Sequence, residues 1–271
     1  MALTTIGLMA LLGCFTGFMA GLLGIGGGMI ITPFLIMLIP SSLIPHEHIV
    51  HVAIATSLAT IAFTSLSSVR AHHKRGAVLW NVVASVAPGI LVGAVVGAQI
   101  AGWLPTFWLS LIFAAFVGFS TSKMFLNKSP RPDRNLPGTI GKFFMGIAIG
   151  ILSALVGAGG GFISVPWMIW CNVKMQNAVA TSAAFGFPIA LFGTIGYIIS
   201  GWNVSGLPPW PIDLGYICIP ALFSVAITSV LFAPLGAKVA HSIDTKPLKK
   251  IFACLLCFVC LYMIRQAYLA M

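Results

Sequence analysis

The stretch Gly17–Leu38, GFMAGLLGIGGGMIITPFLIML, decides the fold, because a second copy, GILSALVGAGGGFISVPWMIWC, occupies Gly150–Cys171. The two copies align without a gap at a separation of 133 residues. The identical positions are Gly17/Gly150, Gly24/Gly157, Gly26/Gly159, Gly27/Gly160, Gly28/Gly161, Ile30/Ile163 and Pro33/Pro166. The chain therefore contains two repeats. Each copy is an apolar run interrupted by a G-x-GGG cluster, and clustered glycines disfavour an uninterrupted helix.

The composition excludes a water-soluble globular protein. Apolar residues make up 59% of the chain, charged residues only 7%, and the mean hydropathy is +1.06, whereas about a quarter of the residues of a soluble domain are charged. Apolar runs of about twenty residues, the length that a helix needs to cross a bilayer, recur along the whole chain. We therefore predict an all-α polytopic membrane protein.

The net charge of +10 would suggest a nucleic-acid partner in a soluble protein. Here the basic residues lie in short loops beside apolar runs, where they set the topology and contact lipid headgroups. The lipid bilayer, and no nucleic acid, is the predicted partner. Cys254, Cys257 and Cys260 recur every three residues and could suggest a soft-metal site, but no His or acidic residue accompanies them in that run, so ordinary helix packing is favoured. We predict neither a metal site nor a cofactor.

The apolar stretch Thr5–Leu38 would be roughly 50 Å long as one helix, which exceeds the roughly 30 Å of hydrocarbon. It is predicted to break at Gly24–Gly28 into a helical hairpin, followed by three transmembrane helices, and the second repeat follows the same plan. The predicted segments are Thr5–Leu23, Met29–Ile39, His48–Val69, Ala77–Ile100 and Pro105–Leu126, then Thr139–Val156, Gly161–Cys171, Asn177–Ile199, Ile212–Leu235 and Leu248–Leu269. The predicted domains are an N-terminal repeat (1–126), a cytoplasmic linker (127–138) and a C-terminal repeat (139–271).

The basic residues favour hairpins that leave the membrane on the side by which they entered. Thirteen of the fourteen Lys and Arg residues then share one side, with Arg265 opposite, whereas eight complete crossings would divide them nine to five. Charge fixes the second hairpin only, since no Lys or Arg precedes Arg70, and the first depends on repeat symmetry. Five segments per repeat make the copies enter from opposite faces, an inverted repeat that many secondary transporters share, with their site near mid-membrane.

The glycine clusters are the first candidate site, because each precedes the second arm of its hairpin. A helix start offers unpaired N–H groups and the positive end of the helix dipole, and glycine lets a ligand approach the backbone. The alternative is that the glycines permit only a sharp turn and close helix packing. The candidate ligand contacts are Gly26, Gly27, Gly28, Gly159, Gly160 and Gly161.

A second correspondence follows each hairpin, since Ala55-Thr56-Ser57 returns as Ala180-Thr181-Ser182, and Gly97-Ala98 later returns as Gly236-Ala237. The hydroxyl groups of Thr56, Ser57, Thr181 and Ser182 could donate to a bound oxyanion. They could equally bond to their own helix or to a neighbouring one.

Just before these hydroxyls, His51 and Gln176 occupy equivalent positions, and Asn177 is adjacent. His51 could be a ligand donor or a group that titrates near neutral pH, or it could be an interfacial residue at the start of a span. Ser57 with His51 is also the nucleophile and base pair that an intramembrane enzyme would need. Six residues separate them, a poor match to the spacing that shares a helix face, so no catalytic site is predicted.

The acidic residues bear on the cargo. Glu47, Asp133, Asp213 and Asp244 all map to loops or to the ends of spans. A cation transporter normally places a carboxylate at membrane depth. The sequence therefore favours an anionic or neutral cargo and disfavours a proton relay made of acidic residues.

At the duplicated G-x-GGG clusters with their following prolines, and at the two Ala-Thr-Ser segments, the sequence resembles the sulfite exporter TauE/SafE family over essentially the whole chain. The resemblance implies a multi-pass inner-membrane protein that moves sulfur-containing anions such as sulfite, sulfonates or sulfoacetate. The family is usually described with about eight spans, which leaves the number of complete crossings open. The leading prediction is a secondary transporter of a small sulfur-containing oxyanion that works by alternating access. A passive anion channel is the alternative, and an intramembrane enzyme ranks third.

Overall fold

The computed structural model describes residues 3–24, 27–40, 43–126, 135–208, 212–240, 242 and 246–270. These residues form the helices α1 (Leu3–Leu23), α2 (Gly28–Leu38), α3 (Ile49–His73), α4 (Trp80–Trp103), α5 (Thr106–Leu126), α6 (Thr139–Val156), α7 (Gly161–Trp170), α8 (Met175–Gly201), α9 (Ile219–Ala240) and α10 (Lys246–Leu269), and the strands β1 (Asp213–Leu214) and β2 (Ile217–Cys218). Within the described residues, eight helices are long and apolar enough to span a membrane, while α2 and α7 are shorter. The predicted all-α polytopic membrane protein is confirmed.

Each glycine cluster turns the chain back on itself. Gly24, Gly27, Gly157 and Gly160 all adopt positive φ, between +64° and +76°, in a left-handed region that costs other residues about 1–2 kcal/mol. A Cβ atom on Gly27 would lie 2.8 Å from the carbonyl oxygen of Thr16, so α2 begins beside the middle of α1. The predicted break of the apolar run into a helical hairpin is therefore confirmed.

Two pairs of helices join the halves through small residues. In each pair, glycines spaced four apart on one helix face the backbone of the other, which permits the close approach typical of membrane helices. The facing residues are Gly13–Val225, Gly17–Ser229 and Gly21–Ala233 between α1 and α9, and Gly89–Phe143, Gly93–Ile147 and Gly97–Ile151 between α4 and α6. Because the residue numbers rise together, both pairs are parallel.

Helices α3 and α8 occupy the centre and run antiparallel. A Cβ atom on Gly186 would lie 3.2 Å from that of Ser65, and one on Gly193 would lie 3.0 Å from Cδ1 of Leu58. Equivalent helices make equivalent contacts in the two repeats. Within each repeat, α2 packs on α3 and α7 packs on α8. Between the repeats, α3 packs on α9 and α8 packs on α4. The hydroxyl-bearing segments of the two repeats therefore lie on the two central helices.

The span predicted at Ile212–Leu235 begins later, at Ile219. The preceding residues form the antiparallel pair β1–β2, turning at Gly215, which has a φ of +59°. Because the residues around this turn are mostly apolar, the sequence predicts the start of a span here and not a turn. The predicted linker 127–138 lies mostly outside the described residues, and residues 135–138 form neither helix nor strand; the division at 126 and 139 stays a prediction.

Candidate functional site

The two glycine hairpins meet each other and the central helices at one place. Ser57 Oγ on α3 donates to the carbonyl oxygen of Gly157, 3.1 Å away. At the equivalent position of the other repeat, Ser182 Oγ on α8 donates to the carbonyl oxygen of Gly24, 3.0 Å away. Gly28 lies so close to Gly157 that a Cβ atom on it would collide with the Gly157 carbonyl oxygen. Each hairpin is thus tied to the central helix of the opposite repeat.

The two threonines of the Ala-Thr-Ser segments make a second exchanged pair. Thr56 Oγ1 accepts a hydrogen bond from the backbone N–H of Cys218, and Thr181 Oγ1 accepts one from that of Leu79, each at 3.0 Å. Cys218 and Leu79 are the residues immediately before α9 and α4. The four predicted hydroxyls are therefore engaged between the repeats, the second of the two roles that the sequence left open. Direct ligand contact by them stays a prediction.

The structure places the glycines that were predicted to contact a ligand in different environments. Gly27, Gly28, Gly159, Gly160 and Gly161 are all buried, whereas Gly26 lies outside the described residues. Gly27 and Gly160 provide the left-handed turns, and Gly28 lies at the contact between the hairpins. Gly159 borders a small cavity. Of the described glycine candidates, Gly159 is the one that borders this cavity, which Gly24 of the same turns also lines, and ligand contact by any of them stays a prediction.

This cavity lies between α1, α3, α8 and the two glycine turns. Its lining residues are Ala20, Gly24, Ser65, Ser68, Gly159, Ala183 and Gly186. The Ser68 hydroxyl is buried and has no hydrogen-bond partner within the described part of the chain, whereas Ser65 donates to the Ala62 carbonyl at 3.2 Å. None of these lining residues is charged. The cavity thus offers a hydroxyl group and a glycine backbone in apolar walls.

Ser65 and Ser68 line the cavity but are not among the site residues predicted from the sequence, although the sequence contains a signal for them. They follow Ser57 by eight and eleven positions, which places all three on one face of α3. A search for residues shared by the two repeats does not find them, because the second repeat has Ala190 and Gly193 at the equivalent positions.

His51, Gln176 and Asn177 lie away from the residues that line this cavity. His51 is buried, and its Nε2 lies 3.1 Å from the Ala101 carbonyl oxygen and 3.0 Å from that of Leu104, so Nε2 carries the hydrogen and donates. Gln176 is exposed, and Asn177 Nδ2 donates to the Ala77 carbonyl at 3.1 Å. His51 and Asn177 thus tie the starts of α3 and α8 to neighbouring turns. His51 and Ser57 bond to different partners.

The β-hairpin that precedes α9 holds a buried carboxyl group. Asp213, predicted at the end of a span, lies instead between α8 and α9 in β1. It is only 4% exposed, and neither carboxylate oxygen has a hydrogen-bond partner among the described residues. Burial raises the pKa of Asp213 to about 6, against a weaker opposing effect of Cys218. Burial also raises the pKa of the Cys218 thiol, to about 12. Burial thus disfavours the charged form of both groups relative to their exposed state.

Comparison with known protein families assigns the chain to a family of membrane proteins, as the duplicated glycine hairpins and long apolar helices lead one to expect. A sequence model of the family described as Sulfite exporter TauE/SafE matches residues 9–263. The chain belongs to the TauE/SafE family. The match extends from α1 into α10, so it covers both repeats. This TauE/SafE protein is therefore a membrane transporter of that family.

Three relatives of the TauE/SafE protein carry the name "probable membrane transporter protein". One from Haemophilus influenzae is 34% identical over 261 residues, which cover 96% of this chain and 98% of the relative. YdhB of Bacillus subtilis is 29% identical and covers 69% and 76%. One from Methanocaldococcus jannaschii is 26% identical and covers 95% and 94%. No solved structure matches the chain.

Proposed function

We propose that this TauE/SafE protein is a secondary transporter of a small sulfur-containing oxyanion, such as sulfite or a sulfonate, in the cell inner membrane. The carrying observation is the small cavity at the junction of the two glycine turns, with the buried, unpartnered Ser68 hydroxyl and Gly159 in its wall. Its volume of about 10 Å³ matches one water molecule, so the proposal requires the cavity to widen when the anion enters. Hydroxyl and backbone N–H groups bind an anion without a fixed charge. An uncharged wall lets the anion leave again, as transport requires.

The helix directions support inverted repeats. Consecutive spans of a bilayer protein alternate in direction, so α4 opposes α3 and α9 opposes α8. Because α1 is parallel to α9, α4 is parallel to α6, and α3 is antiparallel to α8, α1 and α6 run in opposite directions. By the same steps α1 runs with α3, so the first hairpin returns to its side of entry. These directions are those of the transporter architecture in which two inverted halves rock around a central site.

The difference between the two ends supports alternating access. The cavity lies along the C-terminal half of α3, toward the basic end that the charge pattern predicts to be cytoplasmic. On the other side, the equivalents of the cavity residues Ala183 and Gly186 are the larger Leu58 and Ile61, both fully buried. Leu58 packs on Gly193, the equivalent of Ser68. A rocking motion that exchanged the two environments would close the first end and open the second.

Purified protein in liposomes tests the proposal. We expect saturable flux of sulfite or sulfoacetate that is stimulated by the same anion on the opposite side, with protein-free liposomes as the control. Sulfate, phosphate and a metal cation complete the panel. Flux that neither saturates nor responds to countertransport would indicate a passive channel. No anion flux across the panel, or flux of the cation, would contradict the proposal.

A further inference from the structure

The β-hairpin β1–β2 closes the end of the bundle opposite the cavity. Cys218 donates its backbone N–H to Thr56, which lies in the N-terminal half of α3, whereas the cavity borders the C-terminal half. The Tyr216 ring stacks on His51, with ring centroids 5.1 Å apart, and lies edge-on to Tyr197 of α8 at 6.3 Å. The hairpin therefore holds α3 and α8 together at this end.

Asp213 is the buried acidic group of this closed end. An ionised carboxylate without a partner is costly to bury, whereas a protonated one costs much less. Of the acidic residues that the structure describes, the other is Glu47, whose side chain is 75% exposed. The closed arrangement thus favours a bound proton on Asp213. Opening the hairpin to water would remove the cost of ionisation.

Among the described residues, the titratable groups around the hairpin include no Lys or Arg, and the charge of the chain's N-terminal amine acts on the Cys218 thiol rather than on Asp213. The described groups are His48 just before α3, His51 on α3, Tyr197 on α8, and Tyr216 and Cys218 in the hairpin itself. The neighbouring first turn of α9 contains no titratable residue. The pKa of Asp213 rises to about 6 because burial outweighs the weaker, opposing effect of the neighbouring Cys218 side chain. The carboxyl group therefore changes its ionisation mainly between about pH 5 and pH 7.

We propose that Asp213 is a proton-binding site that couples its own protonation state to the opening of this end of the transporter. With the proton bound, the hairpin stays closed over α3 and α8, as in the structure. Loss of the proton to water leaves a carboxylate that requires solvent, and the hairpin opens. The coupling of this step to anion transport rests on the proposed function, whereas the pH-dependent opening does not.

Thiol labelling tests the opening without a cargo. Cys218 is fully buried in the closed state, so a protein that keeps it as the sole cysteine, with Cys→Ser at the other five, reports opening to a polar maleimide. From pH 5 to pH 7 the ionised fraction of a group with a pKa of about 6 rises about tenfold. We expect labelling to rise by about this factor beyond the rise in Asp213→Asn, where only thiol ionisation contributes. Glu47→Gln, the matched control, should behave as the parent does.

Flux measurements complete the test. Asp213→Asn should retain exchange of the transported anion while losing the pH dependence of flux between pH 5 and pH 8, and Glu47→Gln should keep it. Identical labelling profiles in the parent and Asp213→Asn, or a flat profile in the parent, would overturn the proton site even where anion flux is intact. An Asp213-dependent labelling profile without flux of any anion in the panel would support the proton site and count against the proposed cargo.

Discussion

Ser57 on α3 donates a hydrogen bond to the carbonyl oxygen of Gly157, 3.1 Å away, and so joins the centre of one repeat to the glycine turn of the other. Ser182 does the same for Gly24, and Ser164 on α7 donates to Ser182 at 2.8 Å. The break in each hairpin leaves carbonyl groups without partners in their own helix. The serines supply those partners from the opposite repeat, so they stabilise the turns that shape the proposed site.

Replacing Ser57 or Ser182 with Ala should destabilise the protein. Each change leaves a buried carbonyl oxygen without its partner, which costs about 1–3 kcal/mol. Unfolding in mixed detergent micelles would measure the loss. Ser122→Ala is the matched control, because Ser122 is exposed and bonds to Gly118 in its own helix, and its effect should stay within about 0.5 kcal/mol. Equal losses in all three variants would contradict a special role for the exchanged bonds.

A series of Gly→Ala variants should separate backbone strain from crowding. Gly76 has a φ of +65° and no atom near the Cβ position, so Gly76→Ala should cost only the left-handed backbone, about 1–2 kcal/mol. A Cβ atom on Gly27 would in addition lie 2.8 Å from the carbonyl oxygen of Thr16, so Gly27→Ala should lower the free energy of unfolding by clearly more than Gly76→Ala does. Gly160 meets the flexible end of Ile189 and should fall between these two. The midpoint of thermal unfolding gives the order.

Gly7→Ala provides the reference for that series. Gly7 lies in α1 with open space at the Cβ position, and Ala is the better helix former, so the change should be neutral or slightly stabilising. If Gly27→Ala costs no more than Gly76→Ala, the approach of α2 to α1 at Thr16 is looser than the structure gives. Anion flux of Gly27→Ala and Gly160→Ala, measured on the folded fraction, should also fall sharply.

The repeats made much of the fold predictable, because duplicated glycines and hydroxyls mark equivalent points of two similar units. The hairpins and the long helices follow from that pattern. The partners of the duplicated residues do not. Thr56 could face a ligand or the backbone of Cys218, and only the packing of one repeat on the other selects Cys218. Sequence periodicity describes the face of a helix, but it carries no information about the element opposite.

The β-hairpin shows a second limit of sequence reasoning. The run from Ile212 is apolar enough for a helix, and the preference of Gly215 for a left-handed turn is a weak local signal against it. Asp213 is buried by contacts distant in the chain, since the hairpin packs on α3 and α8. From sequence alone, an acidic residue near the end of a predicted span is expected to be solvated, because the sequence does not show those contacts.

Replacing Ser68 with Ala should weaken the apparent affinity for the transported anion. One lost hydrogen bond of about 1–1.5 kcal/mol corresponds to a rise in KM of roughly five- to tenfold, with little change in maximal flux. Stability should hardly change, because the Ser68 hydroxyl has no partner to lose among the described residues. Ser85→Ala is the control, since Ser85 bonds to Asn81 in its own helix. An unchanged KM in Ser68→Ala would remove this hydroxyl from the proposed site.

The stability of the protein should depend on pH through Asp213. Its pKa rises from 3.8 to about 6 on folding because burial penalises the ionised form, so the folded state holds the proton more tightly than the unfolded state. The contribution to the free energy of unfolding is therefore complete below pH 3.8 and is lost as the pH rises through 6. A shift of this size corresponds to a loss of up to about 3 kcal/mol.

Asp213→Asn isolates this contribution, because every other titrating group is common to both proteins. The variant cannot ionise at position 213, so it should match the wild type near pH 4 and exceed its stability above pH 7. Thermal unfolding of both proteins in detergent at unit steps from pH 4 to pH 8 measures the difference. A difference that stays constant over this range, or that favours the wild type at high pH, would mean that the folded protein supplies the carboxylate with water or a partner, and that the closed hairpin does not select its neutral form.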